Sequence, residues 1–482
     1  MMSIFSARSI YGAASTALAF AAWGVFSVFF GLVAVFLPGY LAIGLIVIPT
    51  AAAAVFLRPE YGIVFVAGLA CGLIPPSMLP SAFGFGVGEL IIVVIFISVL
   101  IGRQGVVSKR VMVSCNPVTW GVFAVLTIWF CISVAYSIAI AGIPVQAALG
   151  EARDLGYLVL FPLTILVGQD PVRRRRILFG LVVLAFLFSC GQLLQGVFNV
   201  PVFGHAGRLE VLETLGQKSY GVTRSLTRGI SIILFALFLF SAGYVAKRMS
   251  VLRFFVSAAI LSAGVLLTFG RTTFAVAILG LLFVTWVLDK KALPRFLLFM
   301  FIGATVAMAG LAAIRPAIIE GLLDRVGNTS NEIEYGASAQ WRFLEAELVL
   351  PQIESKPILG LGLGAEYRKN YASDVVPEQN RYIHNGYLYV AAKMGIPAVL
   401  LLVCFVVGIL VHSTRIVRDP LYGSEEKVIC AAGGAMMLRF LFASITEPHF
   451  MADYGISVIC IVAGIIVGAR RTESAQVCGR TR

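Results

Sequence analysis

The sequence predicts an all-α fold, a polytopic transmembrane helical bundle of about twelve to fourteen spans with one long outward loop. Three observations carry that expectation. Hydrophobic residues make up 59% of the 482-residue chain, charged residues 13%, and mean hydropathy is +0.95, values outside the range of a soluble globule. Apolar runs close to the roughly 20 residues that cross a bilayer as a helix recur along the chain, divided by short charged or Pro/Gly turns. Lysine and arginine crowd into every second loop. Helices follow because an open sheet would leave backbone groups unpaired in lipid.

In order, the expected spans run near Ala17 to Leu37, Tyr40 to Leu57, Tyr61 to Leu79, Gly86 to Ile101, Val118 to Ala141, Leu155 to Val167 and Ile177 to Phe198. Further spans lie near Gly229 to Ala246, Leu252 to Phe269, Thr272 to Leu288, Phe296 to Ile314, Gly386 to Val411, Val428 to Ile445 and Tyr454 to Gly468. Only Pro38-Gly39 divides the first pair, and the sixth is short enough to be partly re-entrant.

Basic residues set the orientation. With the N-terminus inside, the cytoplasmic side collects Arg8, Arg58, Arg103, Lys109, Arg110, the run Arg173 to Arg176, Lys247, Arg248, Arg253, Lys290, Lys291, Arg295, Arg415, Arg418, Lys427 and the basic tail. Both termini are therefore expected to be cytoplasmic. The opposite side holds the loop Arg315 to Ile383, with seven basic and ten acidic residues. The net charge of +13 reads as a topology signal, so nucleic acid is not an expected partner. Arg8 before an apolar run resembles a signal peptide, but the run is long and lacks a small-residue cleavage site, so an uncleaved first span is expected.

Cysteines argue against a disulfide scaffold. Cys71, Cys131, Cys190, Cys404, Cys430 and Cys460 fall in apolar spans, where they read as small packing residues, and Cys115 and Cys478 fall on the cytoplasmic side. The four histidines are dispersed, so neither a metal site nor another cofactor is expected. The chain divides into an N-terminal transmembrane part, 1–314, the outward loop, 315–383, and a C-terminal part, 384–482. Inside the loop, Ser338 to Leu350 reads as an amphipathic helix ended by Pro351. Pro357 to Gly364 follows as a glycine-rich turn; its alternate glycines suit a tight turn better than a phosphate cradle.

The segment Tyr382-Ile383-His384-Asn385-Gly386-Tyr387-Leu388 puts a histidine where the polar loop re-enters an apolar segment. A neutral imidazole there suits proton abstraction at a membrane surface, although a structural interfacial histidine fits the same position. Asn385 either orients it or caps the next helix. Arg271 lies between two spans on the outward side, where a headgroup contact is the plain alternative to a site role. Arg224 and Arg228 precede the eighth span on the same side. Arg439 lies inside a span, with Glu447 or Asp453 as expected partners. Arg342 and Glu345 bridge along one helix on the simplest reading.

An ordered set of these pieces resembles the O-antigen ligase and O-antigen polymerase superfamily of bacterial envelope glycosyltransferases. The set is Phe269-Gly270-Arg271-Thr272, a long outward loop with Trp341-Arg342, the turn Pro357 to Gly364, and His384-Asn385-Gly386-Tyr387-Leu388 followed by Gly395-Ile396-Pro397. The resemblance implies a GT-C-like, metal-independent, inverting transferase of the bacterial inner membrane. Its donor would be an undecaprenyl-diphosphate-linked glycan, and its acceptor lipid A-core or a second lipid-linked glycan. It also implies His384 as the acceptor-activating residue, Arg271 as a diphosphate contact, and Arg224 or Arg228 as a second. The chemistry is coherent on its own terms, since arginine forks match phosphate oxygens without a bound cation. The competing class is a multi-span transporter or lipid-linked oligosaccharide flippase, for which broken midplane helices in two similar halves would be expected.

Overall fold

A computed structural model describes residues 52–74, 86–101, 117–198, 202, 207–213, 219–327, 337–368 and 380–470. The first expected span, most of the second, Arg8, Arg103, Lys109, Arg110, Cys115, Cys478 and the basic tail lie outside the described residues. The chain divides between Pro59 and Glu60, and the contacts given below lie within the second unit, Glu60–Arg482.

The fold is an all-α bundle. Among the described residues five helices are long and apolar enough to cross a membrane: Pro117–Ala139, Pro171–Phe198, Arg271–Leu288, a segment from Lys290 to Ile314, and Ile396–Arg418. In chain order the helices are α1 (Pro59–Ala70), α2 (Val87–Ile101), α3 (Pro117–Ala139), α4 (Val145–Leu155), α5 (Leu160–Gly168) and α6 (Pro171–Phe198). After a ribbon of β1 (Gly207–Glu213) and β2 (Ser219–Thr227) come α7 (Ile230–Val245), α8 (Val251–Leu266), α9 (Arg271–Leu288), α10 (Leu293–Ile314) and α11 (Ala317–Gly327). The last are α12 (Ala337–Ser355), α13 (Gly386–Met394), α14 (Ile396–Arg418), α15 (Ser424–Ala443) and α16 (Asp453–Val467).

Helix α15 is the hub, packed against α14, α9, α7 and α16. Its run Cys430-Ala431-Ala432-Gly433-Gly434-Ala435 keeps side chains small, so neighbours approach the backbone closely. A Cβ on Gly434 would stand 2.4 Å from Ser413 Oγ, which itself donates to the Cys430 carbonyl at 2.6 Å. Cys71, Cys430 and Cys460 are buried as packing residues; Cys131, Cys190 and Cys404 instead face outward from the bundle, since an apolar thiol is also tolerated on a lipid-facing surface.

The two ends of α15 and α16 differ in chemistry. At the Ser424 and Gly468 end, the run Arg173 to Arg176 is neutralised by carboxylates. Arg174 is buried, donates to the Gly468 carbonyl at 2.8 Å and pairs with Glu426; Arg175 grips Glu425 at 2.7 and 2.6 Å; Arg176 meets Glu60 at 2.7 Å. These arginines therefore clamp helix ends. The opposite end, at Ser444 and Asp453, carries the candidate site.

Several expected boundaries move. The span expected at Gly386 to Val411 breaks into α13 and α14 at Gly395, which takes φ 85°. Hydropathy is blind to that break because residues on both sides are apolar. The short sixth span begins as α4, passes through a 3-10 turn at Gly156–Val159 and continues as α5. Pro351 does not end its helix: α12 runs through it to Ser355, and the Gln352 side-chain amide donates to the Leu348 carbonyl at 2.7 Å and to the Tyr367 carbonyl. The region before the eighth span holds the antiparallel ribbon, with Glu210 opposite Arg224.

The stretch Pro357 to Gly364 is a packed turn whose amides already have protein acceptors. Leu361 N–H donates to the Ala392 carbonyl at 2.7 Å, Leu363 N–H to Ser137 Oγ at 2.7 Å, and Gly364 N–H to Glu151 Oε2 at 2.7 Å. Gly360, Gly362 and Gly364 all have positive φ, at 67°, 101° and 79°. Lys393, fully buried on α13, pairs with Glu151 on α4 at 3.0 Å and donates to the Ala365 carbonyl. Turn, α4 and α13 are thus joined by one desolvated ion pair.

Gly395 is the tightest point, because a Cβ there would lie 1.8 Å from the Ile358 carbonyl oxygen. Gly395→Ala is expected to cost upward of about 2 kcal/mol through positive φ and overpacking, read as a lower thermal-unfolding midpoint of the detergent-solubilised protein.

Candidate active site

Helix α12 delivers the element around which the site is built. Glu345, 2% exposed, faces the residues just before α13, accepting from the backbone N–H of His384 at 2.8 Å through Oε2. Its Oε1 meets His384 Nδ1 at 3.1 Å and accepts from the Tyr367 hydroxyl at 3.1 Å. An ionised carboxylate only accepts, so this geometry assigns the proton to Nδ1 and leaves a lone pair on Nε2. The Tyr367 hydroxyl is held well above its usual titration range, by burial first and then by Glu345, and so remains a donor.

His384 is one-third exposed and lies edge-on to the Tyr382 ring, centroids 5.0 Å apart. Burial, then the charges of Glu447 and Glu345, push the Tyr382 hydroxyl up to about 12. Asn385 caps α13: its Oδ1 accepts from Tyr387 N–H at 2.9 Å and Leu388 N–H at 3.1 Å. That cap fixes where the helix starts, and so where His384 sits. The orienting partner of the imidazole is Glu345, which does not merely bridge to Arg342 along its helix. Arg342 is exposed on α12, and its positive charge reaches Tyr382.

The loop between α15 and α16, Ser444 to Ala452, joins the other candidate residues to this pair. Gly386 N–H donates to the Ser444 carbonyl at 2.8 Å, and a Cβ on Gly386 would come within 3.0 Å of the Glu447 carbonyl. From the same loop Thr446 Oγ1 bonds Thr272 Oγ1 at 3.1 Å, beside Arg271. Arg271 opens α9 after an abrupt reversal: Phe269 takes φ 49° and is fully buried with Leu267, Leu311, Ile318 and Leu322. The buried ring anchors the turn, and Arg271 emerges partly exposed just past it.

Arg228 reaches the far end of the loop, 3.8 Å from Asp453 Oδ1 and 5.7 Å from the centroid of the Tyr454 ring. Arg224 lies on β2. Arg439 is buried within α15, and its nearest polar partner is His449 Nε2 at 3.4 Å, with Glu447 one step beyond. Asp453, the other expected partner, pairs with Arg228. Arg439 thus contacts this loop directly through His449, Gly386 and Thr272 tie it to the neighbourhoods of His384 and Arg271, and Arg228 meets the start of α16 just beyond it, while no such contact involves Arg342. Among the described residues no cluster of three or more metal-ligating side chains occurs.

Sequence reading missed Glu345 as the imidazole's partner, together with Tyr367 and the role of the Ser444 to Ala452 loop. A lone carboxylate 39 residues upstream gives no local signal. The conjunction His449 with Glu447, both in a stretch joining two apolar helices, was the available hint.

A many-helix integral membrane protein with a carboxylate-backed histidine at one end of its bundle defines the class. The O-antigen ligase family model matches residues 256–403, so over that stretch the chain is similar to the O-antigen ligase family of membrane glycosyltransferases. The match takes in Arg271, Glu345, the glycine turn and His384, and ends before Arg439. No curated protein matches the sequence.

Replacing Glu345 by leucine strands three donors, two from His384 and one from Tyr367. The expected loss is about 2–4 kcal/mol, with a smaller loss for Glu345→Gln, both read from unfolding midpoints.

Proposed function

We propose that the protein transfers a glycan from undecaprenyl diphosphate to a sugar hydroxyl at the periplasmic face of a bacterial inner membrane, with both termini cytoplasmic. The observation that carries this reading is the His384–Glu345 pair, which leaves Nε2 able to take a proton in a region also served by Arg271 and Arg228. The acceptor is lipid A-core or a second lipid-linked glycan. Residues 315–383 act as the extracytoplasmic part between two membrane-embedded parts.

In the proposed step His384 Nε2 removes the proton from the acceptor hydroxyl as its oxygen bonds to the anomeric carbon of the donor sugar. The bond from that carbon to the diphosphate oxygen breaks on the opposite face, and the electron pair leaves with the diphosphate. One displacement inverts the anomeric centre. Glu345 steadies the imidazolium that forms, as a buried carboxylate does for any proton-accepting histidine. Arg271, with Arg228 or Arg224, offers charge-assisted hydrogen bonds to the departing diphosphate, so the step needs no metal.

Full-length protein in liposomes, given an undecaprenyl-diphosphate-linked glycan, tests the reading. Transfer is expected to survive chelation by EDTA, and His384→Ala is expected to lower it by roughly a hundredfold or more. Intact donor crossing the bilayer without any transfer would overturn the proposal in favour of a transporter. Arg271→Lys keeps the charge but removes the planar fork, and a fall of about tenfold in kcat/KM is expected; unchanged kinetics would remove Arg271 from diphosphate binding.

A further inference from the structure

A second histidine–carboxylate pair lies in the Ser444 to Ala452 loop, outside the stretch matched by the family model. His449 is fully buried, and its Nε2 stands 2.9 Å from Glu447 Oε2 and 3.4 Å from Arg439 Nη2. The guanidinium only donates, so Nε2 cannot serve both neighbours with one proton. The shorter contact, to a carboxylate, assigns the hydrogen to Nε2 as donor to Glu447. Burial, followed by the Arg439 charge, lowers His449 below its usual titration range, consistent with a neutral ring.

Arg439 is the unusual member. It is 2% exposed, lies over the Phe440 ring at 4.9 Å, and among the described residues its Nε and Nη1 have no hydrogen-bond partner. A buried cation with two unsatisfied donors costs several kcal/mol in an apolar interior. Packing does not require it, because a methionine would fill similar space. Its charge does serve the Glu447 carboxylate, since both groups approach the same nitrogen, His449 Nε2.

Glu447 is where this buried chain meets the surface, with its side chain 36% exposed. Its backbone carbonyl lies against Gly386, two residues from His384, and its charge reaches the Tyr382 hydroxyl beside the His384 ring. The neighbouring Thr446 bonds Thr272 next to Arg271. A carboxylate repels a diphosphate but suits the hydroxyls of a sugar. The saccharide nearest the proton-accepting histidine is the acceptor.

We infer that Glu447 binds hydroxyl groups of the acceptor saccharide, with His449 and Arg439 as positioning residues that hold its carboxylate toward His384. This assignment rests on the transferase reading and adds a specificity-determining residue to it.

The test uses the full-length protein in liposomes with undecaprenyl-diphosphate-linked glycan as donor and, in separate reactions, rough lipopolysaccharide or the same lipid-linked glycan as acceptor. Glu447→Gln is expected to raise the KM for whichever acceptor the wild type uses by about tenfold, the loss of one charge-assisted hydrogen bond. Its kcat and donor KM should stay within about threefold. Arg439→Lys, which keeps the charge, should move the acceptor KM less than Arg439→Met. Unchanged acceptor KM in Glu447→Gln, or a fall confined to kcat, would overturn the assignment while leaving the transferase reading intact. If Glu447→Gln fails to fold, Glu447→Asp replaces it, and the same KM-against-kcat split is required. If the wild type transfers nothing, the transferase reading fails by itself. Calorimetric titration with delipidated rough-lipopolysaccharide oligosaccharide then decides the inference: about tenfold weaker binding to Glu447→Gln supports it, and equal binding ends it.

Discussion

One carboxylate organises the end of the bundle that carries the candidate site. Glu345 holds both the backbone amide and the ring of His384, so it fixes the position of the residue and the tautomer of its imidazole together. A histidine at a polar–apolar boundary would otherwise exchange freely between tautomers and orientations. Three donors converge on a carboxylate that is 2% exposed, and its burial makes each of those bonds costly to lose.

The rest of the fold keeps that contact in register. Glu345 comes from α12 and His384 from the threshold of α13, so the two helices must be held against each other. The Lys393–Glu151 pair and the turn from Pro357 to Gly364 fix the far end of α13, while Asn385 and the Ser444 carbonyl fix its start. A buried ion pair contributes little net stability against apolar replacements, but it punishes any arrangement that separates the partners. The ion pairs of Arg174, Arg175 and Arg176 do comparable work at the opposite end of α15 and α16.

Most of the bundle was legible in the sequence because hydropathy reports directly on the solvent a helix must face. The start of α13 was legible too, since Asn385 is a strong capping residue and Gly386-Tyr387-Leu388 begins an apolar run. Hydropathy carries no information about a break between two apolar segments, so Gly395, although part of the Gly395-Ile396-Pro397 motif, gave no sign that the span divides there, whereas its positive φ does. Pro351 misled for the reverse reason: its local rule predicts an end, whereas α12 continues through it to Ser355.

Within the candidate site, residues with local sequence context stood out and their partners did not. Arg271 and His384 each border an apolar span, a position visible in one dimension. Glu345, Tyr367 and the Thr446–Thr272 contact depend on chain segments that meet only in three dimensions. Arg439 was conspicuous as a charge in an apolar helix, but its nearest polar neighbour proved to be the same imidazole nitrogen, His449 Nε2, that pairs with Glu447. The most direct measurement is the ¹⁵N NMR spectrum of histidine-labelled protein in nanodiscs, with His384 assigned by comparison with His384→Gln. At neutral pH the account predicts a protonated Nδ1 and a bare Nε2. A proton on Nε2 with a bare Nδ1 would contradict it.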